Sequence, residues 1–342
     1  EIGRQGRFCE MSPKAKEPAA GPDALAALDF VPVNKPFARD DIYGQMGMHI
    51  PLLEYPRLAL ASVLLAPLRF VLMFGIIFQF SVVCSILGAI PGEGAKRMVS
   101  RLGMLHSRAV LFALGVMRIN VTRHGEAGGG DDEALFARAG VVSNHIGWLD
   151  ILVHMSLFFP SFVAKDGVGK LAVVGAIARN MRCIFVQREA KSKDYKGVSG
   201  DVKQRMVERA ADTGLVVPPM LLFPEGTTTN GHYLLPFKTG AFLAGAPVRP
   251  VLLRYQSSYC SPAWESITMT RHLFLLFCTP WIGVDVDILP VYTPSPAERS
   301  DPALYAANVR TRMLEGAGWL RASESTLQDK RAYHAILRGE SG

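Results

Sequence analysis

The chain reads as an α/β protein: a mixed central sheet flanked by helices, preceded by an N-terminal apolar helical segment fit to anchor in a membrane. Three observations predict it. From residue 118 onward, short apolar runs rich in β-branched residues alternate with helical stretches, the pattern of strands and helices layered about one sheet. The run Phe70–Ile90, FVLMFGIIFQFSVVCSILGAI, carries no Asp, Glu, Lys or Arg, and about twenty helical residues cross a hydrocarbon core of about 30 Å. The chain is 49% hydrophobic and 20% charged, too apolar for a disordered protein and more apolar than most soluble enzymes.

Four regions follow along the chain. Residues 1–40 are expected to be a flexible segment, because their first part is rich in Ala, Pro, Gly, Lys and Glu without apolar periodicity. Residues 41–117 form a membrane-associated helical region. Within it, Phe70–Ile90 crosses alone with Leu58–Leu68 at the interface, or Leu58–Ile90 folds as a hairpin bending near Pro67. Arg57 and Arg69 precede the uncharged run while Lys96, Arg97 and Arg101 follow it, so flanking charge does not decide between the two. Leu102–Met117 is a second apolar helix candidate. Residues 118–296 make the α/β domain. Its expected strands are 118–125, 139–143, 161–165, 183–187, 220–223 and 248–255, with a Gly/Asp-rich turn at 128–132 and helices at 149–157, 171–180 and 200–211. Residues 297–342 form a helical tail of two helices, the second started by Ser325 with Gln328 as a capping box.

A formal charge of +7 suits anionic partners: phosphorylated small molecules, an anionic membrane surface or nucleic acid. The five cysteines contain no CxxC pair, which supports neither a disulfide framework nor a cysteine zinc site.

Two short stretches carry the chemistry. In SNHIGWLD (143–150), His145 and Asp150 are five residues apart, about 140° on a regular helix, so they cannot share a helical face. They meet if His145 sits in the turn leaving a strand and Asp150 lies in the first turn of the next helix, where the dipole favours its charge. The carboxylate then holds imidazole Nδ1 and leaves Nε2 as a proton acceptor. That arrangement suits deprotonation of a hydroxyl attacking a carbonyl. No GxSxG nucleophile occurs, which favours direct attack by a substrate hydroxyl. His154 lies on an apolar helix without an HExxH context and reads as a core histidine rather than a metal ligand. In LFPEGTTTNG (222–231), Gly226 allows close backbone approach, and Thr227, Thr228, Thr229 and Asn230 offer hydroxyls and amides to a phosphate or a glycerol hydroxyl.

The ordered series NHIGWLD, FVAKD, CIFVQRE, FPEGTTTNG and PVRPVLLRY resembles the HxxxxD-type acyltransferases that act on glycerolipids, over roughly residues 120–293. Within that family the longer stretches around the two motifs are most similar to plant-type lysophospholipid acyltransferases. The resemblance implies transfer of a fatty acyl group from acyl-CoA to the free hydroxyl of a lysophospholipid, with lysophosphatidylethanolamine or lysophosphatidylcholine as acceptor. It implies His145 as general base and Asp150 as its orienter. Glu225, Gly226 and Thr227 match the motif that holds the acceptor's glycerophosphate, and Arg188 matches an arginine that pairs with acceptor phosphate. Lys165 is a second phosphate candidate. Lys191, Lys193, Lys196, Lys203 and Arg205 either meet CoA phosphates or lipid headgroups or form a solvated face. Pro250 shapes a strand edge. No metal, no cofactor beyond acyl-CoA as co-substrate, and no nucleic acid is implied, and without a DxDxDG loop no calcium control is expected. The family's usual place is the endoplasmic reticulum membrane with the catalytic domain facing the cytosol, a chloroplast membrane being the alternative. The competing readings are a lysophosphatidate or glycerol 3-phosphate acceptor, and a catalytically inactive, membrane-anchored lipid-binding protein.

Overall fold

The computed structural model describes residues 31–44, 50–125, 130–186, 197–211, 217–264 and 266–340. In chain order the helices are α1 (Glu54–Gly88), α2 (Glu93–Ala113), α3 (Gly130–Phe136), α4 (Leu149–Phe158), α5 (Asp166–Lys170), α6 (Ala172–Asn180), α7 (Gly197–Ala210), α8 (Met269–Cys278), α9 (Pro296–Ser300), α10 (Pro302–Ala317) and α11 (Leu327–Leu337). The strands are β1 (Val116–Arg123), β2 (Gly140–Ser143), β3 (Val163–Lys165), β4 (Ile184–Val186), β5 (Leu221–Leu222), β6 (Tyr233–Leu234), β7 (Val248–Gln256), β8 (Ile282–Ile288) and β9 (Arg321–Ala322).

The central sheet has the order β1-β8-β7-β2-β5. Only the β7–β8 pairing is antiparallel, which makes the sheet mixed as expected. Helices cover both faces, so β2 is buried at every position and reads as a continuous apolar run. One face packs Met73, Val110, Leu149 and Leu276 against the strands; the other packs Met206, Tyr305, Val309 and Met313. Beyond β5, the bridge from Ser161 to Met220 brings in the parallel pair β3–β4. Neither α8 nor β8 was anticipated: the antiparallel partner of β7 lies in a stretch without a motif.

The apolar region folds as two antiparallel helices. The 35-residue α1 is one unbroken helix, about 50 Å long at 1.5 Å per residue, with Pro67 inside it and exposed. The hairpin bend therefore falls not at Pro67 but at residues 89–92, ahead of α2. Leu58, Arg69, Met73, Phe80 and Cys84 form the inner stripe of α1, while Val63, Leu64, Val71, Phe74, Phe78, Val82 and Ile86 remain exposed. Arg57 and Arg69 are not solvent-side flanks. Arg57 Nη1 donates to the Cys278 carbonyl at 2.7 Å. Arg69 is buried and donates to the carbonyls of Phe277 at 3.1 Å, Pro280 at 2.8 Å and Thr279. A cation is thus placed on the unsatisfied carbonyl end of α8, where the dipole is negative. Expected as Leu102–Met117, α2 starts and ends earlier. Gly115 at φ +92° stops it in a conformation that favours glycine, and Met117 passes into β1.

Where described, the segment expected to be flexible is docked. Residues 35–37 form a 3-10 turn, and Phe37 is fully buried against Leu235, Tyr333 and Leu337. The tail contains three helices rather than two. Thr326 caps the last one, with Asp329 closing the capping box, one residue later than expected. Ser325 is unavailable for that role because its hydroxyl donates to the Val33 carbonyl at 2.9 Å. Of the turn expected at 128–132, residues 128 and 129 lie outside the described residues and Asp132 belongs to α3.

Candidate active site

Two bonds fix where β2 releases the chain. Asn144 is fully buried; its Nδ2 donates to the Leu253 carbonyl at 2.9 Å and its Oδ1 accepts from the Leu253 N–H at 2.8 Å. This side chain completes the β2–β7 ladder as a backbone group would, and the next residue, His145, turns away from the sheet. Then α4 begins, with Asp150 in its first turn.

His145 Nδ1 lies 2.8 Å from Asp150 Oδ2. The same oxygen accepts the N–H groups of Ile146 at 2.6 Å and Gly147 at 2.9 Å. Tyr255 Oη donates to Oδ1 at 2.8 Å. Donors on both oxygens suit an ionised carboxylate, and Asp150 is 0% exposed while the imidazole is 21% exposed. With Nδ1 as donor to the carboxylate, Nε2 carries the lone pair. The ring stacks on Phe223, centroids 3.9 Å apart and planes at 13°, which limits its rotation. Tyr255 went unnoticed in the sequence; its only signal is its place at the end of VRPVLLRY.

Glu225 sits elsewhere than expected. Its Oε1 accepts the His145 N–H at 2.9 Å and its Oε2 accepts the Leu235 N–H at 3.0 Å, with the residue 3% exposed. It is a buried strut between the two motifs rather than a group facing solvent. The polar turn is likewise largely occupied. Thr229 N donates to the His145 carbonyl at 2.8 Å. Lys330 Nζ donates to the Thr228 carbonyl at 2.9 Å and to its hydroxyl at 2.7 Å. Asn230 Nδ2 donates to the carbonyls of Lys35 at 2.8 Å and Ala38 at 3.0 Å. Asn230 therefore holds the turn to the 31–44 segment, Thr228 holds it to α11 and Thr229 holds it to the chain at His145. Thr227 is the exception, since its hydroxyl has no partner among the described residues. Gly226 takes φ +70°, and a Cβ there would run into Lys238 Nζ. Lys238 is exposed and pairs with no carboxylate among the described residues. It was missed in the sequence, although FKTGAF follows the turn directly.

Strands β2, β5, β3 and β4 all run in one direction, so His145, the 223–227 turn and Lys165 follow their carboxyl ends on one edge of the sheet. Ligands of open α/β sheets gather at that edge. Lys165 is exposed at the end of β3. Arg188 follows β4 by two residues but lies outside the described residues, as do Lys191, Lys193 and Lys196. Arg205 donates to the Arg182 carbonyl at 2.8 Å, and Lys203 is exposed on α7. Pro250 sits within β7, opposite Val142. His154 is the core histidine expected, fully buried with Nδ1 2.7 Å from the Asp150 carbonyl, and no cluster of metal-ligating side chains occurs among the described residues.

Beside this edge, α1, α2, α4 and α6 enclose an almost wholly apolar cavity of about 250 Å³. Trp148, three residues after His145, lines it together with Met73, Ile77, Phe80, Val110 and Leu152.

Burial sets the pH response of the fold. It lowers His154, His272 and His334 to about 4 each. The unfolded chain takes up these protons near the usual 6.5, so stability is lost as pH falls from 6.5 to 4. Burial pushes Glu225 up to about 8, against its two N–H donors. The unfolded chain releases that proton near 4.5 while the folded chain keeps it, so this contribution falls as pH rises from 4.5 to 8. Denaturant unfolding should show stability climbing to about pH 6.5, where three histidines outweigh one carboxyl, and then declining toward pH 8. Glu225→Gln should flatten the decline and cost about 1–3 kcal/mol, because its amide nitrogen must face a backbone N–H.

An α/β enzyme with an Asp-steered histidine at the sheet edge and an apolar cavity alongside is the class this geometry defines. Residues 135–254 match the Acyltransferase family. The chain is 42% identical over 349 aligned positions to lysophospholipid acyltransferase LPEAT1 of Arabidopsis thaliana, covering 89% of this chain and 86% of that protein. It is 34% identical over 282 positions to lysophospholipid acyltransferase LPCAT4 of Homo sapiens, covering 79% of this chain but 52% of that protein. The crystal structure of the 1-acyl-sn-glycerophosphate acyltransferase PlsC from Thermotoga maritima superposes with a TM-score of 0.53 at 19% identity, over 78% of this chain and 100% of that one, a likeness of fold. The chain belongs to the acyltransferase family and is an acyltransferase.

Proposed function

We propose that this acyltransferase moves a fatty acyl group from acyl-CoA to the free hydroxyl of lysophosphatidylethanolamine or lysophosphatidylcholine. The observation that carries the reading is His145 Nδ1 held 2.8 Å from a buried Asp150 carboxylate, in a chain 42% identical to a lysophospholipid acyltransferase. His145 Nε2 takes the acceptor hydroxyl's proton as its oxygen attacks the thioester carbonyl, and Asp150 stabilises the imidazolium. Collapse of the tetrahedral intermediate breaks the carbon–sulfur bond, and the departing CoA thiolate takes the proton from the imidazolium. Acceptor phosphate is met by the exposed ammonium groups of Lys165 and Lys238, the Thr227 hydroxyl beside Gly226, and Arg188 after β4. Glu225 holds that turn to His145. The acyl chain lies in the apolar cavity that Trp148 lines.

The bare outer face of α1 supports membrane attachment. Contacts from Arg57, Arg69 and the Cys84 carbonyl tie the inner face to the domain along most of the helix, so the bare face rests in one leaflet instead of crossing it. Acyl-CoA is cytosolic, and the proposed setting is the cytosolic face of the endoplasmic reticulum; import of a tagged full-length chain into chloroplasts would replace that assignment. Purified protein in micelles, given labelled acyl-CoA and a panel of lysolipids, should acylate lysophosphatidylethanolamine or lysophosphatidylcholine. Consumption of lysophosphatidate alone would overturn the acceptor.

A further inference from the structure

We propose that the pocket at the tip of the α1–α2 hairpin binds the phosphate of an anionic phospholipid, at a site separate from the acyl cavity. The pocket has a volume of about 250 Å³, and Leu87, Ile90, Lys96, Arg179, Asn180 and Arg182 are among the residues lining it. Among the described residues, three cations and no carboxylate line it. Lys96 pairs with Glu93 at 2.7 Å, three residues earlier on α2. Arg179 spends one nitrogen on the Gly169 carbonyl. Arg182 forms no ion pair with a described residue.

Arg182 also holds an unusual backbone. At φ +56° it follows α6, with its N–H on the Arg179 carbonyl at 2.9 Å and the Cys183 N–H on the Ala178 carbonyl at 3.0 Å. This is the left-handed position after a helix that glycine normally takes, and any other residue pays about 1–2 kcal/mol for it. An arginine kept there at that cost, lining a cationic pocket, points to a ligand. The neighbouring surface indicates what kind. Ile86 is 60% and Ile90 51% exposed beside the cations, the junction of charge and hydrocarbon that a phospholipid presents.

Acyl-CoA is not the occupant. The stacked rings of Phe80 and His106, 4.7 Å apart, belong to the wall of the acyl cavity, and no residue lines both that cavity and the tip pocket. A thioester must reach His145, three residues before Trp148, which lines the acyl cavity and not the tip pocket. Ligand binding at the tip would bear on that cavity, since Asn180 Nδ2 donates to the Cys84 carbonyl at 3.2 Å and so joins α6 to α1.

The proposal rests on the hairpin being the membrane-bound part of the molecule, and flotation of the full chain separates the two claims. Binding to phosphatidylcholine vesicles reads the apolar face; the added binding with phosphatidylglycerol reads the pocket. The double variant Lys96→Gln/Arg182→Gln should lose roughly fivefold of that added binding per charge removed, with phosphatidylcholine binding and micellar acyl transfer unchanged. The control Arg312→Gln/Arg331→Gln should keep it. An equal loss in the control, or no loss in the pocket variant, would overturn the site. Displacement from phosphatidylglycerol vesicles by equimolar inorganic phosphate would make it a free-anion site and overturn the lipid assignment.

Discussion

Replacing His145 with alanine should lower kcat by about 10²–10⁴-fold, the span that general-base catalysis supplies, while leaving the apparent KM for both substrates within about threefold. The asymmetry follows from the geometry. The imidazole contributes its Nε2 to the reacting hydroxyl, whereas acyl chain and phosphate are met by other groups. The fold survives because Asp150 keeps three of its donors, the N–H groups of Ile146 and Gly147 and the Tyr255 hydroxyl. Steady-state rates in micelles, beside a thermal unfolding curve, check it. A variant that turns over within about threefold of the parent removes His145 from the chemistry.

Asp150→Asn should cost a similar factor of about 10²–10⁴ in kcat by a different route. Three donors converge on Oδ2, so the asparagine oxygen must occupy that place and its nitrogen must face Tyr255, whose hydroxyl can turn to accept. Geometry is kept and charge is lost. The imidazolium formed in the transition state then has no buried anion beside it, and in a site shielded from water that loss is large. If kcat is unchanged while stability falls, Asp150 is structural alone.

Legibility followed the range of the forces involved. β2, β5 and β7 could be read because each is a short apolar run ended by turn chemistry, and His145 with Asp150 because five residues of chain fix their relation. What escaped were contacts closed by the fold. Arg69 looked like a flanking charge because its carbonyl partners lie more than 200 residues away, at separations of 207 to 211. Asn230 and Thr228 looked like ligand donors because nothing local shows that residues 35–38 and Lys330 use them. Tyr255, 105 residues from Asp150, was hidden for the same reason. Glu225 was found by motif but given a ligand's role, since burial of a glutamate in a polar turn depends on a strap from elsewhere in the chain.

The most direct test of the account is the double variant His145→Ala/Asp150→Asn assayed beside both single variants. If one proton acceptor is steered by one carboxylate, removing the second partner costs nothing further, and the double variant falls no lower in kcat than His145→Ala. Losses that multiply would mean the two residues act independently, and the proton transfer proposed for this site would have to be abandoned.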